Sequence, residues 1–146
     1  MAAVLAFCQK RELPFFVLGR GSNLLVKDGG FRGVVVCLAH ANFSKIEITG
    51  DRLRCGAGAK LKDVAVAAKR AGLSGVEFLE GIPGSVGGAL RMNAGAMGGE
   101  TFNAVESVRV MDSAGNVREM KPSEMAVGYR HCAALKDHIA LAARCA

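Results

Sequence analysis

The stretch Gly81-Ile82-Pro83-Gly84-Ser85-Val86-Gly87-Gly88-Ala89, continued by Met92-Asn93-Ala94-Gly95-Ala96 and closing at Gly99, decides how the rest of the chain is read. Seven glycines between Gly81 and Gly99 exclude an ordinary core element throughout, so the segment is expected to be mostly loop with one short helix. It places a stiff Ile82-Pro83, a hydroxyl donor at Ser85 and four glycines directly after the strand-like run Val76 to Leu79. Backbone N–H groups at a short helix start favour a phosphate, and Gly84-Ser85 should lie nearest to it. The residues from Asn93 to Gly95 are small enough for a flat ring to pack on the backbone, and the Asn93 amide can reach a ring edge. The alternative is a loop that merely packs two lobes together, although long ordered loops in compact domains are more often functional.

A second glycine loop lies upstream, after the extended run Phe15 to Leu18. Gly19-Arg20-Gly21-Ser22-Asn23-Leu24 begins as a dinucleotide fingerprint does, but Leu24 stands where its third glycine belongs and no ribose-binding acid falls in a βαβ unit. No GxxxxGK[ST] occurs either, so a P-loop is excluded. Two glycines, a hydroxyl, an amide and free backbone N–H groups can still bind phosphate oxygens as a nest; a tight turn whose Asn satisfies its own backbone is the competing reading. Two such loops, far apart in sequence, point to a long diphosphate ligand spanning two lobes.

Around these loops the periodicities alternate. Ala2 to Glu12 reads as a helix stopped by Pro14, with short buried strands at Phe15 to Leu18, Leu24 to Val26 and Gly33 to Leu38. Ile46 to Thr49 and Arg52 to Cys55 alternate with period two about Gly50-Asp51, a two-residue hairpin whose first loop position takes a positive φ. Lys60 to Ala71 is an amphipathic helix stopped by Gly72, and Val76 to Leu79 is strand-like. Glu106 to Met111 and Val117 to Met120 form a second hairpin, Pro122-Ser123-Glu124 starts a helical turn, and Ile139 to Cys145 is an apolar strand or helix. This order suits an α+β domain in two small lobes better than a doubly wound sheet.

The composition agrees with a packed domain: 146 residues, 51% hydrophobic and 22% charged, which excludes intrinsic disorder. The net charge of +6 is spread along the chain with acids between, its longest basic runs being pairs such as Lys10-Arg11 and Lys69-Arg70, so a nucleic-acid partner is not expected. Cys8, Cys37, Cys55, Cys132 and Cys145 are odd in number and widely spaced, and His40, His131 and His138 make no ligand spacing with them. Neither a disulfide framework nor a metal site is expected, and a reducing compartment fits. No apolar stretch is long enough to insert in a membrane, and no targeting segment is recognised at Met1 to Phe7.

Leu18 to Val26, Gly81 to Gly99 and Gly128-Tyr129-Arg130, in that order, closely resemble the FAD-binding region of the UDP-N-acetylenolpyruvoylglucosamine reductase family, flavoenzymes of peptidoglycan synthesis. The likeness covers most of the chain. Any one motif alone also suits other flavoproteins of the vanillyl-alcohol-oxidase type. The resemblance implies a two-lobed FAD-binding domain over residues 1–146, a first lobe at about residues 1–40 and a second at about 41–146. It implies FAD as bound cofactor, NADPH as co-substrate, a UDP-sugar small-molecule substrate, no obligate protein partner and a cytoplasmic location.

By the same resemblance, Gly19, Arg20, Gly21, Ser22 and Asn23 hold the diphosphate, and Leu24 next to them is also cofactor-binding. Gly84, Ser85, Gly88, Asn93, Ala94 and Gly95 line the ribityl chain and the ring system, with Gly81, Ile82, Pro83 and Gly87 also cofactor-binding. Arg130 faces the substrate carboxylate, where a fixed guanidinium offsets charge developing on hydride addition, and Tyr129 is its positioning neighbour. The family's proton-donating serine and its glutamate come from a C-terminal substrate domain, expected to be absent here together with an N-terminal edge, which would leave this chain catalytically incomplete. Cys132 stands where many members carry serine and is not the expected donor. The competing readings are a flavin-binding module of another oxidoreductase and a non-enzymatic α+β interaction domain.

Overall fold

Period-two patterning dominates the molecule, and a computed structural model describing residues 1–146 gathers most of it into one sheet. The elements run α1 (Ala2–Lys10), β1 (Phe15–Leu18), β2 (Val34–Cys37), β3 (Ile46–Thr49), β4 (Arg52–Gly56), α2 (Leu61–Arg70), α3 (Val86–Met92), β5 (Gly95–Ala96), β6 (Gly99–Glu100), α4 (Thr101–Ala104), β7 (Val105–Met111), β8 (Val117–Met120), β9 (Val127–Gly128), β10 (His131–Cys132) and β11 (Ile139–Cys145). Strands β3-β4-β11-β7-β8, in that spatial order, form an antiparallel sheet. Strands β1 and β2 pair in parallel as a separate small sheet.

Both expected hairpins are present. Thr49 pairs with Arg52, and Gly50 sits at φ +60°, a conformation that costs glycine nothing. In the second, the Asn116 backbone N–H donates to Asp112 Oδ1 at 2.8 Å, and the Asn116 side chain holds the Asp112 carboxyl below its ordinary range. The segment Ile139 to Cys145 is the central strand: its inward residues are mostly Ala and Cys, small enough for α3 to lie close on the sheet. The core lies on that face, where Leu53 and Cys55 of β4, Val108 and Val110 of β7, and Ala143 of β11 pack with Leu61 and Val64 of α2 and Leu90 of α3.

The α2 pattern is as the sequence indicates, with Leu61, Val64, Ala65 and Ala68 buried and Gly72 beyond the end at φ +70°. Just before it the chain passes so close to the Leu38–Phe43 crossing that a Cβ on Gly58 would collide with the Leu38 carbonyl. This explains the alternating Gly56-Ala57-Gly58-Ala59: only side chains of this size let β4 turn into α2 beneath the crossing.

Two expected strands are absent. Leu24 to Val26 is irregular and exposed, Leu25 by 94%, because β1 pairs directly with β2 and the segment only crosses between them. Val76 to Leu79 enters a 3-10 helix, Glu77–Gly81, whose local bonds replace a ladder: the Gly75 N–H donates to Glu77 Oε2 at 2.8 Å and the Ile82 N–H to the Leu79 carbonyl at 3.2 Å. The second glycine loop therefore follows a 3-10 helix rather than a strand. The expected short helix inside it is α3, and Pro122–Glu124 is the expected helical turn. The α+β class stands, and no helix is long and apolar enough to cross a membrane.

Candidate functional site

The two glycine loops meet. Ser22 Oγ donates to the Pro83 carbonyl at 2.8 Å across 61 positions of sequence. Nearby, a Cβ on Gly19 would stand 2.8 Å from Ser85 Oγ, so glycine lets the first loop lie directly against the second. The backbone N–H groups of Arg20, Gly21, Ser22 and Asn23 donate to no protein acceptor, while Leu24 N–H closes the turn onto the Gly21 carbonyl at 3.3 Å. Gly21 takes φ +72°, which orients consecutive N–H groups as a nest.

The second loop is anchored from behind. Val86 N–H donates to the Ala59 carbonyl at 2.9 Å, Gly87 N–H to Ala57 at 2.8 Å, and Leu61 N–H to Gly84 at 3.3 Å. These bonds fix the start of α3 against the Gly56–Ala59 turn and leave the N–H groups of Gly84, Ser85 and Gly88 without protein acceptors. Ser85 is 3% exposed, yet its hydroxyl makes no hydrogen bond to the chain and lies between Gly19 and Gly88. The residue is nearly buried but its oxygen is not sealed off, since no buried side-chain nitrogen or oxygen of the chain lacks a partner, so the hydroxyl stays open to a ligand. Gly81, Ile82 and Pro83 lead into this turn, with Ile82 packed on the core.

The third cluster differs from the sequence reading at one residue. Asn93, 2% exposed and left-handed at φ +40°, spends its side chain inside the protein. Nδ2 donates to Glu100 Oε2 at 2.9 Å and to the Gly128 carbonyl at 3.2 Å, and Oδ1 accepts from Phe102 N–H at 3.2 Å. The expected ring-edge contact from Asn93 therefore has no free donor; the amide is consumed in joining β6, α4 and β9. Its backbone, with Ala94 and Gly95, lies under Arg130, whose Nη1 donates to the Asn93 carbonyl at 3.3 Å and Nη2 to Gly95 at 2.9 Å. The Arg130 guanidinium carbon stands 5.0 Å from the Tyr129 ring centroid. Gly95, Ala96, Met97, Gly98, Gly99, Glu100, Asn103, Tyr129 and Arg130 line a cleft of about 460 Å³.

Cys132 is fully buried, its Sγ directed to the Met125 carbonyl at 3.6 Å, and burial pushes its thiol up. It is not placed to protonate anything in the cleft. Two contributors were missed in the sequence: Gly56 to Ala59, whose small-residue alternation carries the second loop, and Glu100, whose carboxylate orients Asn93. The first had a visible signal in its pattern; the second had none, since an acid beside a glycine pair also suits a solvated turn.

The FAD binding domain family matches residues 1–121. The UDP-N-acetylenolpyruvoylglucosamine reductase of Clostridium kluyveri is 45% identical over 92% of this chain and 43% of the relative. That of Maricaulis maris is 53% identical over 88% of this chain and 41% of the relative. The chain thus spans less than half the length of these relatives. The crystal structure of the Thermus caldophilus reductase superposes with a TM-score of 0.81 at 35% identity, over 96% of this chain and 51% of that one. A 6-hydroxy-D-nicotine oxidase from Arthrobacter nicotinovorans superposes at 0.70 and 18% identity over 99% of this chain and 33% of that one, a likeness of fold alone.

Proposed function

This chain belongs to the FAD binding domain family, and we propose that it is the flavin-holding part of a UDP-N-acetylenolpyruvoylglucosamine reductase. In this reading the reaction reduces the enolpyruvyl group of UDP-N-acetylglucosamine enolpyruvate to UDP-N-acetylmuramate for peptidoglycan, with NADPH as reductant, in the cytoplasm. The observation that carries it is the junction of the two glycine loops at Ser22 and Pro83, with unpaired N–H groups on both sides.

The residues fit the cofactor. Within the Gly19–Leu24 loop, Arg20, Gly21, Ser22 and Asn23 present free N–H donors and one guanidinium to a diphosphate, Leu24 closing the turn behind them, and Ser85 offers a hydroxyl that lacks a protein partner. In this reading Gly81 to Gly84, Gly87, Gly88 and the Asn93-Ala94-Gly95 backbone face the ribityl chain and rings. The small β1–β2 sheet with α1 is the first lobe, about residues 1–40, and the rest is the second.

When bound, FAD supplies the hydride relay between NADPH and the enolpyruvyl double bond. The chain's own contribution to chemistry is Arg130: a fixed guanidinium beside the substrate carboxylate favours the state in which negative charge develops. Tyr129 holds that cation by its ring face. Cys132, sealed in the core, is not the proton donor.

The test is stopped-flow spectroscopy on a flavin-loaded protein of the relatives' full length carrying this segment. Arg130→Lys should leave flavin reduction by NADPH intact and slow reoxidation by the enolpyruvyl substrate about 100-fold. Unchanged reoxidation removes Arg130 from the mechanism. A flavin that the enolpyruvyl substrate never reoxidises, even with Arg130 in place, overturns the reductase reading.

A further inference from the structure

Asn93 and Arg130 hold each other. Both are left-handed non-glycine residues, at φ +40° and +52°. The Asn93 side chain grips the Gly128 carbonyl, two residues before Arg130, at 3.2 Å; the Arg130 side chain grips the Asn93 carbonyl at 3.3 Å. The grip has one orientation, because Phe102 N–H donates to Oδ1 and so fixes which end of the amide carries the donors. Glu100 Oε2 takes the remaining Nδ2 hydrogen at 2.9 Å.

Arg130 needs such a support. It lies on the turn between two-residue strands β9 and β10, is exposed, and forms an ion pair with no acid of the chain. A long side chain in that setting samples many rotamers, and fixing it costs entropy at the moment of binding. Two carbonyls on the Asn93–Gly95 backbone occupy two of its five N–H groups and leave the others for an anion.

We infer that Asn93, oriented by Glu100, is a positioning residue for Arg130, fixing the Gly128–Arg130 turn so that the guanidinium is set beside the cleft before any substrate arrives. The residue type is specific. Asparagine tolerates the left-handed backbone at the end of α3 and carries donor and acceptor together; aspartate lacks the donors, and glycine keeps only the backbone. The importance of a fixed Arg130 rests on the function proposed above, but the clamp itself does not.

The chain contains one tyrosine and no tryptophan, so its near-ultraviolet tyrosine circular dichroism reports Tyr129 alone, under the Arg130 guanidinium. The experiment compares this band in the unaltered chain, Arg130→Ala, Asn93→Gly, Asn93→Asp and the Asn93→Gly/Arg130→Ala double variant, with far-ultraviolet spectra as the measure of folding. Arg130→Ala should abolish the Arg-dependent part of the band. Each Asn93 variant should cut that part at least about twofold, and the double variant should fall no further than Arg130→Ala alone. A band untouched in both folded Asn93 variants overturns the inference, as does a band that Arg130→Ala does not change. Unfolding of both Asn93 variants also overturns it, by assigning Asn93 to the fold. No flavin or substrate enters the measurement, so failure to bind FAD would defeat the proposed function and leave this result standing.

Discussion

The Ser22 hydroxyl donates to the Pro83 carbonyl at 2.8 Å, and this single bond ties the loop after β1 to the loop before α3. The small parallel sheet and the large antiparallel one share no ladder, so the relative placement of the two loops depends on contacts of this kind.

Ser22→Ala removes the donor while leaving both backbones in place. A hydrogen bond of this type contributes about 1 kcal/mol, so FAD should bind about fivefold more weakly with the melting temperature little changed. Fluorescence titration of FAD gives the affinity directly. An affinity equal to that of the unaltered chain would mean that the loops are aligned by something other than this bond.

Two glycines separate site from fold. In Gly19→Ala the new methyl meets Ser85 Oγ at 2.8 Å, and a hydroxyl can swing aside, so flavin retention should fall while the urea midpoint barely moves. In Gly58→Ala the methyl meets the Leu38 carbonyl, which is backbone and cannot yield, so stability should drop on the order of 3 kcal/mol. Urea unfolding of both variants checks the contrast, and equal midpoints would show that β4 does not pass so close to the crossing.

The cysteines give a pH signature. Burial pushes Cys55 to about 12 and Cys145 to about 11, so the folded chain keeps protons that the unfolded chain releases near the ordinary thiol value. The stabilising contribution is complete below that ordinary value and is lost as pH rises towards 11 and 12. The urea midpoint should fall above about pH 9, and Cys55→Ser with Cys145→Ser should flatten that fall. A thiol reagent at pH 8 should react quickly with exposed Cys37 alone; fast reaction of several thiols in the folded chain would contradict the burial of the rest.

Legibility in the sequence followed how local each determinant is. Gly50-Asp51 and the α2 face could be read because a turn residue and a repeat period act within a few positions. Leu24 to Val26 misled because apolar residue types ordinarily mark burial, and here three of them sit exposed on a crossing segment. Phe78 and Leu79 are buried, as a strand reading requires, but a 3-10 helix buries them without a ladder. Pairing β11 between β4 and β7 is a long-range fact that no window around Ile139 contains. The glycine loops were visible as motifs, whereas the reversal of Asn93 from ligand donor to internal clamp depends on Glu100 and Gly128, which only the fold brings to it.

The central claim is that the two glycine loops together form a cradle for FAD, and its most direct test is a visible absorption spectrum of the purified chain after incubation with FAD and removal of free cofactor. A retained flavin spectrum, shifted from that of free FAD and much diminished in Gly19→Ala, is the expected result. A folded, colourless chain, or one whose retained flavin is indifferent to Gly19→Ala, would contradict the claim.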